Sequence, residues 1–191
     1  MENKLDTFGE SGFWPKRAKW TAKAIDGEFL PKSDKILDIG PHSDMTEFLD
    51  SVFQTKAHNT EARNLDEDWS WDIDKDFDVI WCFEVIEHLA NPLWFLRQCA
   101  ECLNDNGVMF ISFPQRPKFL WNNRHHFHEI DHRRWEWLIG QAGFKIERPL
   151  HRTFVLYYKL YHFSWKYFIM GLRSPLRMLW PATNLYKLMK I

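Results

Sequence analysis

The sequence predicts an α/β protein: a Rossmann-like, mainly parallel sheet flanked by helices. Two observations carry that expectation. Short runs at 35–40, 77–83 and 108–113 have the composition of strands, and the unbroken apolar run 79–83, rich in β-branched and aromatic residues, is that of a strand buried on both faces. Between them lie segments with apolar residues three and four apart, the period of an amphipathic helix. Strand and helix patterns alternating in this way indicate crossover units rather than hairpins. With 191 residues, 45% of them apolar, the chain is long enough to bury a core as one domain.

Taken in order, residues 1–15 read as a leader, because Gly9, Gly12 and Pro15 break any element. Residues 16–30 fit a helix with Ala18, Ala22, Ile25 and Phe29 on one side, and 31–34 a turn. The strand at 35–40 runs into Gly40, and 43–53 resumes helical spacing through Met45, Phe48, Leu49 and Val52. Strand, glycine turn and helix present a helix N-terminus to a ligand. Residues 54–58 suit a second short strand, and 59–76, polar and acidic, an irregular stretch. After the strand at 77–83, a helix spans 92–103, and Asn104, Asp105, Asn106 and Gly107 supply turn chemistry. The strand at 108–113 stops at Pro114; a His- and Arg-rich loop covers 115–130. Asp131 can cap a helix carrying Trp135, Leu138, Ile139 and Ala142, closed by Gly143, and Phe144 opens a further strand.

Charge divides the chain unevenly. The net charge is −1, yet residues 152–191 hold seven Lys/Arg and no Asp or Glu, leaving 18 basic against 26 acidic residues before them. All five tyrosines also lie in this tail. Basic residues interleaved with aromatics suit a membrane surface, where rings sit at the headgroup level. Stacking on single-stranded nucleic acid is the weaker reading. The simpler one makes the first part of the tail the last strands of the sheet. The expected boundaries are a domain over 1–165 and a basic, aromatic extension over 166–191, with a peripheral membrane contact assigned to the extension. No run of 18 apolar, uncharged residues marks a membrane-spanning helix. Three cysteines, an odd number, read as reduced thiols and a cytoplasmic location; Cys99 and Cys102 suit packing on a helix face better than a zinc site lacking two ligands.

Two short patterns carry candidate chemistry. Glu84, Glu87 and His88 follow the strand at 77–83, and a helical turn starting at Glu84 would set all three on one face. The C-terminal ends of buried parallel strands are where open α/β sheets bind ligands. His128, Glu129 and His132 match the zinc-protease spacing, but Asp131 as a helix cap would split the motif between loop and helix. An imidazole here can also accept a proton near neutral pH, which makes His126 and His128 candidate bases.

In their order along the chain, KILDIG (35–40), NLDEDW (64–69), FDVIWCFEVIEHLANP (77–92), LNDNG (103–107), VMFISFP (108–114) and LIGQAGF (138–144) resemble the class I S-adenosylmethionine-dependent methyltransferases, over residues 35–146. The likeness is strongest to small enzymes with an EVIEHL-type segment. It implies a seven-stranded sheet with a reversed final hairpin and S-adenosylmethionine as cofactor. It implies that Asp38 and Gly40, with Pro41 and His42, hold the amino acid end of the cofactor. Leu65 and Asp66 would meet the adenine region, and Cys82, Phe83 and Glu84 would line the pocket. The family pattern Asp-x-Gly-x-Gly-x-Gly reads here Asp38-Ile39-Gly40-Pro41-His42-Ser43-Asp44, so His42 and Asp44 replace two glycines.

The activity implied is methyl transfer to an oxygen or nitrogen of a small-molecule, sugar or lipid-linked acceptor, with Glu84, His126 and His128 as catalytic residues. The alternative is a non-catalytic binding domain with a degenerate cofactor loop. A third reading rests on relatives that bind Mg²⁺ at a Glu-x-x-Glu-His segment. It would give a 2′-O-methyltransferase acting on RNA, with Glu84, Glu87, His88 and His128 as ligands.

Overall fold

The computed structural model describes residues 13–30, 34–61, 64–67, 76–114, 125–128, 132–154 and 181–191. Its strands are β1 (Ile36–Asp38), β2 (His58–Asn59), β3 (Phe77–Phe83), β4 (Leu103–Pro114), β5 (Phe144–Phe154) and β6 (Pro181–Lys190). The helices are α1 (Phe13–Ile25), α2 (Asp44–Phe53), α3 (Pro92–Cys102) and α4 (His132–Gln141), with one 3₁₀ turn at Ile86–His88. The sheet order is β2-β1-β3-β4-β6-β5. β1 to β4 run parallel, and β6 lies antiparallel between β4 and β5. This is the mainly parallel sheet with a reversed final hairpin that the family resemblance implies, with six strands among the described residues rather than seven.

β3 lies inside the sheet because residues 79–83 leave neither face polar. Trp81 packs toward α1 and α2 with Val79, Phe110, Phe48 and Leu49. Ile80 and Cys82 pack on the opposite face with Phe95, Leu96, Trp135 and Ile139 from α3 and α4. Each large side chain so buried contributes about 1.5–3 kcal/mol.

Four expectations are corrected. α1 begins at Phe13, with Pro15 inside its first turn, where a missing N–H costs nothing. It ends at Ile25 rather than at residue 30. The 104–107 stretch does not separate helix from strand, because α3 passes directly into β4 at Leu103. Its turn chemistry survives as an Asn106 backbone N–H donated to Asn104 Oδ1 at 3.1 Å. Most consequential, residues 181–190, assigned from the sequence to an extension beyond residue 165, form β6, hydrogen-bonded on both sides. Leu185, Tyr186 and Leu188 are buried. Lys187 and Lys190 are accommodated because Lys187 Nζ meets Glu28 at 3.2 Å and Glu147 at 3.0 Å, and Lys190 Nζ donates to the Leu103 carbonyl at 2.9 Å. The rest of the tail, residues 155–180, lies outside the described residues, as do Asp131 and residues 68–75.

Candidate active site

Three groups of polar side chains meet the C-terminal ends of β1, β3 and β4. The first is built on Asp38, the last residue of β1, which is 7% exposed. Its Oδ2 accepts from Thr46 Oγ1 at 2.6 Å and from Asn59 Nδ2 at 3.0 Å. Among the described residues no donor reaches Oδ1. Burial pushes the Asp38 carboxyl up from 3.8 to about 6, against the two hydrogen bonds; Asp50 raises it further and His42 eases it. The chain then turns at Gly40, whose φ of +117° disfavours any side chain. Gly40 N donates to Thr60 Oγ1 at 2.8 Å, and a Cβ added at Gly40 would stand 3.5 Å from Val85 Cγ2.

Pro41, His42 and Ser43 are exposed, and neither His42 nor Asp44 adopts a positive φ. The loop therefore does not use the backbone freedom that the two missing glycines would supply. Instead Ser43 caps α2: its hydroxyl accepts from Thr46 N at 3.4 Å while its own N–H donates to Thr46 Oγ1 at 3.3 Å. Asp44 and Glu47 lie in the first turn of α2, where the helix dipole favours negative charge. His42 Nδ1 is 3.9 Å from Glu47.

The second group is Arg17, Glu84 and Ser112. Arg17 Nη2 lies 2.7 Å from Glu84 Oε1 and donates to Ser112 Oγ at 3.0 Å; Ser112 Oγ in turn donates to Glu84 Oε1 at 3.0 Å. Glu84 has φ +57°, a left-handed conformation held by its N–H to the Ser112 carbonyl at 2.9 Å. For a non-glycine residue that costs on the order of 1 kcal/mol, and such strain collects at functional sites. Arg17 is the residue that sequence reasoning missed. Its only signal is a basic residue beside the apolar stripe Ala18, Ala22 and Ile25. Ser112 had a clearer one, as the sole polar residue within the apolar run 108–113.

The third group is the 3₁₀ turn and residues 125–128. Phe127 N and His128 N donate to the Glu87 carbonyl at 2.8 and 3.2 Å. His88 Nδ1 is 2.9 Å from the His125 carbonyl, and the His88 and His126 rings meet edge-on at 4.8 Å. His128 Nε2 lies 3.3 Å from the Ala90 carbonyl. Glu87, His88 and His126 bring ligand-capable atoms within 4.8 Å of one another.

This placement revises several sequence expectations. Glu84, Glu87 and His88 do not share a face, because the helical turn starts two residues later than assumed. Glu84 turns under α1, Glu87 is buried and His88 is exposed. The metal-competent set retains Glu87 and His88 but takes His126 in place of Glu84 and His128. The zinc-protease spacing has no shared helix, since α4 begins at His132. The Cys82 side chain is fully buried in the core, where burial, foremost, holds its thiol well above the usual range. Only its backbone can therefore line the pocket. Leu65 belongs to the same core, and Phe83 packs partly buried against the α1 and α2 side. Asp66 accepts from the backbone N–H groups of Ala90 and Asn91 at 2.9 and 2.8 Å, so its carboxylate secures the approach to α3.

The family follows from comparison with known proteins. Residues 16–148 match the family model described as a methyltransferase domain, and the chain belongs to that family, the class I S-adenosylmethionine-dependent methyltransferases. A segment of 36 residues is 56% identical to the ubiquinone biosynthesis O-methyltransferase of Parvibaculum lavamentivorans. That segment is 19% of this chain and spans only 14% of the relative's length. Among solved structures, a Galdieria sulphuraria protein assigned as a sarcosine dimethylglycine methyltransferase superposes with TM-score 0.63 at 15% identity, covering 91% of this chain and 84% of that one. Magnesium protoporphyrin IX methyltransferase of Synechocystis PCC 6803, solved with bound S-adenosylhomocysteine, gives TM-score 0.53 at 12% identity over 98% and 92%. These likenesses show the fold.

The family's cofactor is S-adenosylmethionine, and the residues at the end of β1 fit it. Asp38 Oδ1 takes no donor among the described residues, so it suits a cation such as an ammonium, and the positive φ at Gly40 leaves that turn without a Cβ.

Proposed function

We propose that this chain is an S-adenosylmethionine-dependent methyltransferase acting on an oxygen or nitrogen of a small-molecule, sugar or lipid-linked acceptor. The observation that carries the reading is Asp38, buried, with both of its donors among the described residues on the same carboxylate oxygen. S-adenosylmethionine, when bound, supplies an activated methyl group on its sulfonium. The chain's own residues bind and orient. Asp38 and Gly40, with the loop through Pro41 and His42, hold the amino acid end. The backbone at Cys82–Glu84 forms the wall, and Arg17 and Ser112 fix Glu84 in that wall rather than leaving it as a mobile base. Most of the rate enhancement in such a site comes from positioning the acceptor. His126, half-buried against His88, is the residue proposed to take the acceptor's proton. The test is radiolabelled methyl transfer to a panel of phenolic, amine, sugar and lipid-linked acceptors; labelling of none would leave the domain as a cofactor-binding module.

The magnesium reading loses support from the donor set. Mg²⁺ prefers an octahedron of oxygens, whereas Glu87, His88 and His126 offer two imidazoles and one carboxylate. RNA 2′-O methylation with a hydroxyl-orienting Mg²⁺ is the weaker reading, because Arg17 and Ser112 hold Glu84 away from the other three ligands expected from the sequence. The peripheral membrane contact of the tail stays a proposal resting on its charge and aromatic content. Among the described residues no helix is long and apolar enough to cross a membrane.

A further inference from the structure

We infer that Thr46 is a positioning residue for cofactor binding, holding the Asp38 carboxylate ionised and turned so that its second oxygen faces the ligand. The inference deepens the proposed function and rests on Asp38 as the receptor of the cofactor's ammonium. Thr46 is 2% exposed, at the third position of α2. Its hydroxyl has one proton. At 2.6 Å that proton goes to Asp38 Oδ2, so toward Ser43 the oxygen can only accept, and the Ser43 N–H fills that role at 3.3 Å. The result is a directed chain from the Ser43 N–H through the Thr46 hydroxyl to Asp38. A hydrogen bond donated to a carboxylate favours its charged form. Asn59, reaching from β2, adds a second donor to the same oxygen.

The chain also clamps the cofactor loop. Thr60 grips Gly40 at one end, and the Ser43–Thr46 capping box grips the other. In a loop where His42 and Asp44 stand at two glycine positions, these side chains set the shape. The charged groups bearing on Asp38 are Asp50 from α2 and His42 from the loop itself. Neither is hydrogen-bonded to it, so Thr46 and Asn59 are the groups that aim it.

The experiment is titration calorimetry with S-adenosylhomocysteine between pH 5 and 8.5, on the full chain and on Thr46→Val and Thr46→Ser. Valine keeps the shape and removes the proton; serine restores it. Losing the bond should raise the Asp38 pKa by about one unit, a tenfold factor in its ionisation equilibrium. Thr46→Val should then bind S-adenosylhomocysteine roughly tenfold more weakly than the parent near pH 5.5 and nearly equally at pH 8.5, with Thr46→Ser following the parent. A loss that is uniform across pH, or one that serine does not rescue, overturns the inference while leaving cofactor binding intact. No binding by the parent chain at any pH defeats the cofactor reading itself. Should Thr46→Val not fold, Asn59→Ala removes the other donor to the same oxygen, and the same pH-dependent against uniform outcomes decide.

Discussion

Replacing Asp38 with asparagine should raise thermal stability and weaken cofactor binding in the same protein. The carboxyl is held at about 6 in the fold against 3.8 ordinarily, burial being the main cause. Between these values the folded chain binds more protons than the unfolded one, so folding stability falls as pH rises through that window. The difference of roughly two units corresponds to about 3 kcal/mol of cost above pH 6. Asparagine carries no charge to desolvate, and its carbonyl can still accept from Thr46 and Asn59. The variant should gain about 1–3 kcal/mol at pH 8, several degrees in Tm for a domain of this size, and nothing at pH 4. Affinity for S-adenosylhomocysteine should meanwhile fall by at least about tenfold, because a hydrogen bond to a charged group is worth about 1.5–3 kcal/mol. Thermal melts of ligand-free protein from pH 4 to 8, beside calorimetry at pH 8, measure both. A variant that melts below the parent at pH 8 would refute the reasoning, because the carboxylate would then be a net stabiliser.

Arg17→Met should destabilise the chain by about 3 kcal/mol in urea titration, because it leaves Glu84 without its countercharge in a largely buried site. Arg17→Met combined with Glu84→Gln should recover part of that loss. His126→Ala should leave the Tm within a few degrees and lower methyl-transfer kcat by about 10²-fold, the usual share of a general base; an unchanged kcat removes His126 from the chemistry. EDTA should leave methyl transfer unaltered, and a drop restored by Mg²⁺ would reverse the reading of the donor set at Glu87, His88 and His126.

What the sequence made legible follows from which forces are local. β3 was readable because burial on both faces forces a continuous apolar run, and α2 because Ser43 and the apolar period mark its start and face. β6 was not, because Lys187 and Lys190 break its alternation and are neutralised by partners as distant in sequence as Glu28. Asp38 and Gly40 came from a contiguous motif, and the structure places them together at the end of β1. Arg17 could not be found that way, since its partners Glu84 and Ser112 lie in two later strand ends. The Glu84–Glu87–His88 face failed for a local reason: it assumed right-handed backbone at Glu84, and that residue is left-handed. The choice between His126 and His128 depends on how residues 125–128 dock on the Glu87 and Ala90 carbonyls, which spacing does not encode.

Methyl transfer by this chain requires the loop from Asp38 to Asp44 to accept the cofactor although two of the family's glycines are absent. Titrating the full chain with S-adenosylhomocysteine at pH 8 tests that directly. The structure predicts saturable one-to-one binding that weakens as pH drops below about 6, where Asp38 takes up its proton. No heat of binding up to millimolar ligand would contradict it and leave a methyltransferase fold that has lost its cofactor.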